Sequence, residues 1–215
     1  DAVVGELVMD KQMAMKLAPF MMMKDNKLDS LLTPKEFKMV DDYLKTLGKY
    51  DLNKMNNLKP IMIQTIIMQA LAPKTFTATN PAIDQYIQDY GKTNNKKVFG
   101  LETVEDQAKV LFGDNLVRQK EMLVKSVKQV NKIKKGTQKL HQYYITQNLK
   151  ELAKMFTTSK DFTVAEMDGL LKNRNDKWMA QLPSMMQNQS LFIAVGAGHL
   201  VGKDGLIKGL RAQGY

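Results

Sequence analysis

Apolar and polar positions along the chain alternate between two periods. Ala2-Val3-Val4-Gly5-Glu6-Leu7-Val8 is a short, β-branched run that predicts a buried strand over residues 2–7. Lys97-Val98-Phe99-Gly100-Leu101 and Leu191-Phe192-Ile193-Ala194-Val195 predict two more. Between them the pattern is helical. A methionine-rich stretch follows the first strand, and Thr33-Pro34-Lys35-Glu36 then combines a threonine cap, a proline at the first helical position and a glutamate three residues after the cap. Phe37, Val40, Tyr43, Leu44 and Leu47 continue at helical spacing to a stop at Gly48. Further helices are predicted from Lys59-Pro60 to Ala72, from a cap at Asn80-Pro81 to Gly91, and after Thr103. From Asn115 to about Phe156 the pattern reads as a helical hairpin broken near Lys135-Gly136-Thr137, and a short helix through Leu206, Ile207 and Leu210 closes the chain.

Strands separated by helices define a helix-rich α/β class, a central sheet of short strands flanked by helices. At 215 residues, 44% of them hydrophobic, the chain can bury one sizeable core, and a single domain over residues 1–215 is the expectation. The absence of cysteine excludes disulfides, zinc–thiolate sites and thiol nucleophiles. No apolar run reaches the length of a membrane span.

The net charge of +10 raises the question of nucleic acid. Its carriers are lysines, with Arg118, Arg174 and Arg211 the arginines, and lysine is a point charge ill suited to bidentate reading of phosphate or guanine. No nucleic-acid partner is therefore expected. The run Lys125, Lys128, Lys132, Lys134, Lys135 and Lys139 reads as the solvated face of a helix, and the 16 methionines as core filler or the lining of an adaptable apolar groove.

Glu6, Glu102 and His199 share a position type, since each stands at or just beyond the carboxyl end of a short strand, the edge at which ligands gather in open α/β sheets. Gly196 and Gly198 around His199 permit a tight turn and close approach of a ligand to the backbone. On residues alone, His199 is either a ligand or a turn histidine bonded to a carbonyl, and the two glutamates are either site carboxylates or helix-end ion-pair partners. His141, in a helical segment without a carboxylate at ligand spacing, reads as a helix-face residue. The usual zinc-protease, nucleophile-elbow, phosphate-loop and dinucleotide motifs are absent.

The segment Arg174-Asn175, Trp178, Leu191 to Leu200 with its Gly-Ala-Gly-His-Leu block, Gly202, Gly205-Leu206, Leu210 and Gly214-Tyr215 resembles the closing signature of the TraB/GumN family, which includes the TIKI proteases and the PrgY pheromone-shutdown proteins. Val3 to Leu7, Leu58-Lys59-Pro60, Asp84 and Gly100-Leu101-Glu102-Thr103 with Gln107 resemble its upstream pieces. The resemblance implies an EreA-, ChaN- or TIKI-like α/β fold and a metal-dependent hydrolase acting on peptides or proteins, in which two Gly-x-x-His motifs and a glutamate converge on manganese, cobalt or zinc. By position it makes His199 and Glu6 metal ligands, Glu6 and Arg174 catalytic, and Glu102, Gly196 and Gly198 binding residues. It also implies an extracytoplasmic location. The first Gly-x-x-His motif with its strand and a last short strand are not found between Asp1 and Tyr215, so the metal is expected in a longer form rather than in this chain. The alternative reading is a non-catalytic peptide-binding or signalling-inhibitory member of the same family.

Overall fold

The structure, a computed structural model, describes residues 1–73, 81–113, 115–158, 161–187 and 189–215. The expected cap at Asn80 lies outside the described residues. In chain order the elements are β1 (Ala2–Gly5), α1 (Met13–Met21), α2 (Leu28–Leu31), α3 (Pro34–Leu47), α4 (Pro60–Leu71), α5 (Ile83–Thr93), β2 (Lys97–Gly100), α6 (Val104–Phe112) and α7 (Leu116–Lys128). They continue as α8 (Val130–Ile145), α9 (Leu149–Thr157), α10 (Val164–Met167), a π-helical turn (Asp168–Lys172), α11 (Asn173–Met186), β3 (Leu191–Ala194), α12 (Ala197–Leu200) and α13 (Leu206–Ala212). The chain belongs to the helix-rich α/β class. It forms two compact units, one of residues 1–13, 74–110 and 142–215, the other of residues 14–73 and 111–141.

The first unit holds the sheet. Its order is β2-β1-β3 and all pairs are parallel, so the chain leaves β1 to one side and later crosses back to the other. Val4 sits level with Phe99 and Ile193, and Gly5 with Gly100 and Ala194, which brings the three carboxyl ends to one edge in register. Parallel strands need crossover connections and are covered by them, which is why β1 is buried at all four positions. Val4, Leu101, Trp178, Leu182 and Leu206 form the core beneath that edge. Helix α5 packs on the sheet at Gly91, where an added Cβ would stand 2.8 Å from Val3 Cγ2, so only glycine permits the approach.

A continuous helical run carries Arg174, and sequence periodicity did not announce it. Thr163 opens the run with a capping box closed by Glu166, and the π-helical turn inserts between α10 and α11. The extra residue of a π turn rotates the positions that follow, which sets the direction from which Arg174 and Asn175 project.

The second unit is helical, and Leu28, Val40, Leu44, Leu52, Ile63, Ile67 and Leu123 fill its centre. The capping box at Thr33 is formed as the sequence predicts, with Glu36 N donating to Thr33 Oγ1 at 3.3 Å and Thr33 N to Glu36 Oε2 at 2.9 Å. Lys59, buried ahead of α4, donates to the carbonyls of Phe112 (2.9 Å) and Gly113 (3.1 Å), two acceptors left open at the end of α6.

The hairpin break near Lys135-Gly136-Thr137 is not found, because Gly136 lies inside α8. The interruptions fall instead at Gln129 and at Thr146–Asn148, where Gln147 takes φ 53° and Asn148 caps α9 by accepting from Glu151 N. A glycine inside a helix costs about 1 kcal/mol, too little to end one of 16 residues. The strands are also shorter than predicted, ending at Gly5, Gly100 and Ala194.

Candidate functional site

Three backbone segments meet at the carboxyl edge of the sheet. Glu6 follows β1 directly, Glu102 stands two residues after β2, and Gly196 lies two residues after β3 and opens α12. Helix α11 passes this edge and presents Arg174, Asn175 and Trp178 at the one-turn spacing that puts them on one face.

Arg174 is the hub, and its five N–H groups are all spent on protein acceptors. Nε donates to Glu102 Oε2 at 3.0 Å, and Nη2 donates to Glu102 Oε1 and, at 2.6 Å, to Glu6 Oε2. Nη1 donates to the Leu170 carbonyl at 3.1 Å and to His199 Nε2 at 2.8 Å. Gln107 bridges both carboxylates from its amide nitrogen, 3.1 Å from Glu6 Oε2 and 2.9 Å from Glu102 Oε1. Burial opposes the charge on Arg174, but the hydrogen bonds it donates to Glu102 and Glu6 outweigh it and hold the guanidinium above its ordinary pKa.

His199 is fixed from the other side. A guanidinium can only donate, so Nε2 accepts, the imidazole is neutral, and Nδ1 carries the proton that it gives to Asn175 Oδ1 at 2.7 Å. Asn175 Nδ2 also donates to the carbonyls of His199 (3.1 Å) and Asp204 (2.7 Å), closing a clamp around the turn. Burial, with the Arg174 charge acting in the same direction and Glu6 against it, pushes the His199 pKa down to about 4. Trp178 packs its ring 4.4 Å from the imidazole and 4.9 Å from the guanidinium carbon.

Glu6 is the most open charged member, with 21% of its side chain exposed against 9% for Glu102, 8% for Arg174 and 5% for His199. Its Oε1 accepts from Gly196 N at 2.8 Å, a distance available because an added Cβ on Gly196 would press to 3.1 Å from that oxygen. Glu6 borders a cavity of about 250 Å³ whose other walls include Leu7, Met9, Asp84, Gln88 and Gln107. Gln88 shapes it by donating to the Leu7 carbonyl at 2.7 Å and accepting from Met9 N at 2.9 Å.

The structure thus brings Glu6, Glu102, Arg174, His199 and Gly196 together. Gly198 is not with them: it faces Leu171 and Phe156 and borders a separate apolar cavity of about 300 Å³. His141 is half-buried on α8, within the second unit. Asn175 and Gln88 are the residues whose parts the sequence does not disclose. Asn175 stood in view beside Arg174, and no pattern marked Gln88.

The donor set does not match the divalent ion that the resemblance implies. Among the described residues, no three His, Cys, Asp or Glu side chains are arranged to hold a metal. The reason is local. Glu6 Oε1 and His199 Nε2 are 4.0 Å apart, but the lone pair of Nε2 is engaged by Arg174, and both carboxylates are ion-paired with the same guanidinium. A second cation beside the guanidinium would be repelled in a site this dry. The residues as arranged do not fit the ion.

A parallel sheet with a carboxylate, arginine and histidine cluster at its carboxyl edge is a ligand-site architecture of α/β proteins. The model of the TraB/PrgY/gumN family matches residues 1–215, and the chain belongs to that family. No curated protein and no solved structure matches it.

Proposed function

We propose that the chain is a peptide-binding member of the TraB/PrgY/gumN family, with Glu6 as the group that meets the ligand. One observation carries the reading: every donor of Arg174 and both ring nitrogens of His199 are occupied by protein partners, which leaves Glu6 as the charged member of the network that borders the cavity. A saturated, buried guanidinium has no donor for a substrate carbonyl or a developing oxyanion. It positions Glu6 instead.

The cavity offers the carboxylates of Glu6 and Asp84 as acceptors, against an apolar wall of Leu7, Met9 and Met13. That combination suits an ammonium group on an apolar chain, such as a peptide amino terminus. Calorimetric titration with short peptides, free or acetylated at the amino terminus, is the test. The free form should bind about tenfold more tightly, and Glu6→Gln should erase the difference. Equal affinity of the two forms overturns the reading.

Hydrolysis is the second reading, favoured by the 4.0 Å approach of Glu6 and His199. It requires Arg174 to release His199. Peptide cleavage detected by mass spectrometry and lost in Glu6→Gln would put it first.

A further inference from the structure

We infer that the lysine face of α8, with Lys128 at the end of α7, is a docking surface for the anionic headgroups of a lipid bilayer. The inference concerns the second unit and does not depend on peptide binding at Glu6.

The charge of the chain is unevenly placed. Residues 14–73 and 111–141 hold 17 of the 32 basic residues but 8 of the 22 acidic ones, so the second unit carries +9 of the net +10. Within it, the stretch from Met122 to His141 contains six lysines and no acid. Helix α8 has no buried residue. Val130, Ile133, Thr137 and His141 lie half-buried along one side, while Lys132, Lys135 and Lys139 recur at one-turn spacing on the opposite, exposed side. Lys128 and Lys134 are exposed as well. From Lys128 to Lys139 no acid stands within four residues of any lysine, so no ion pair along the helix cancels their charge.

Such a cluster of lysines on an amphipathic helix is what the negative surface of a bilayer attracts, at about 1 kcal/mol for each charge that reaches it. Lysine suits that partner better than it suits nucleic acid, because a headgroup layer asks for charge and not for the bidentate fork of arginine. The same unit also leaves apolar surface in water. Helix α1, which belongs to it from Ala14 onward, has Lys16 as its one polar residue, yet none of its residues is buried and Met15 is 74% exposed. The boundary between headgroups and acyl chains accepts surface of that kind, and a phosphodiester backbone does not.

Co-sedimentation of the whole chain with vesicles is the test. Phosphatidylcholine vesicles containing about one-third phosphatidylserine should retain the chain at low salt, pure phosphatidylcholine should not, and retention should fall as salt is raised. The triple change Lys132→Gln, Lys135→Gln and Lys139→Gln should weaken binding about a hundredfold. Lys109→Gln, Lys177→Gln and Lys208→Gln together remove the same charge from the first unit and should weaken it less than about threefold. All six lysines are exposed, so both variants should fold, which circular dichroism checks. A wild type that ignores the anionic vesicles, or equal losses in the two variants, overturns the inference. So does a DNA duplex that binds more tightly than the vesicles at matched phosphate concentration and physiological salt and loses that binding with the first triple change, since the face then belongs to nucleic acid.

Discussion

Arg174 Nη1 donates to His199 Nε2 across 2.8 Å, and this bond fixes a neutral imidazole with its proton on Nδ1. The partner at Nδ1, Asn175, agrees with that assignment because its Oδ1 accepts and its Nδ2 is engaged elsewhere. Protonation of His199 would place a donor against a donor.

Stability should therefore depend on pH through His199. Its folded pKa, about 4, lies below the ordinary value of 6.5, so between these two the unfolded chain binds the proton and the folded chain does not. The contribution is fully present above about pH 6.5, falls as the pH drops and is gone near pH 4, up to about 3 kcal/mol in all. Urea unfolding of wild type and His199→Asn across this range checks it. The variant should lack this part of the slope, and parallel curves would contradict the assignment.

Breaking the Arg174 network from either side should not be symmetric. Arg174→Ala leaves Glu6 and Glu102 without their cation and should cost about 3–5 kcal/mol, while the double change Arg174→Ala with Glu102→Gln should recover part of the loss. A double-mutant cycle by chemical denaturation measures the coupling. Strict additivity would mean that the two side chains do not interact.

Trp178 is fully buried, and its indole N–H has no hydrogen-bond partner among the described residues. Phenylalanine keeps a ring over His199 and Arg174 and removes that unsatisfied donor. Trp178→Phe should hence be tolerated within about 1 kcal/mol, whereas Trp178→Ala should cost about 3–5 kcal/mol. Thermal unfolding of both variants distinguishes ring packing from an indole hydrogen bond.

Gly91 sets how closely α5 lies on the sheet. Gly91→Ala should destabilise by about 1–3 kcal/mol through the clash with Val3, and Val3→Ala in the same chain should relieve part of it. Failure of that compensation would show that the strain lies elsewhere.

In the helical unit, Thr33→Ala removes the capping oxygen and should cost about 1 kcal/mol. Hydrogen exchange in the first turn of α3 should quicken, most clearly at the Glu36 amide.

The sequence by itself determined the elements whose cause is local. Thr33 and Glu36 are three residues apart and cap one helix whatever surrounds them, and the β-branched runs at Val3, Val98 and Ile193 define strands by composition alone. It also placed Glu6, Glu102 and His199 at or just beyond strand ends, although His199 stands inside the short helix α12 that follows β3. That reading becomes spatial once the strands pair in parallel and in register, because a shared edge is then unavoidable. The helix breaks at Gln129 and Gln147 were hidden, since those residues carry no breaker signature and what ends α8 is the turn at Gln147 and the cap at Asn148. The identity of the site cation was decided by tertiary structure alone. Glu6 and Arg174 stand 168 positions apart, and whether an arginine lies near a carboxylate or saturates itself upon two carboxylates and a histidine depends on the helical phase set by the π turn and on how deeply α11 is buried. Charge pairing in a dry interior is a property of distance and desolvation, and neither is written in the order of the residues.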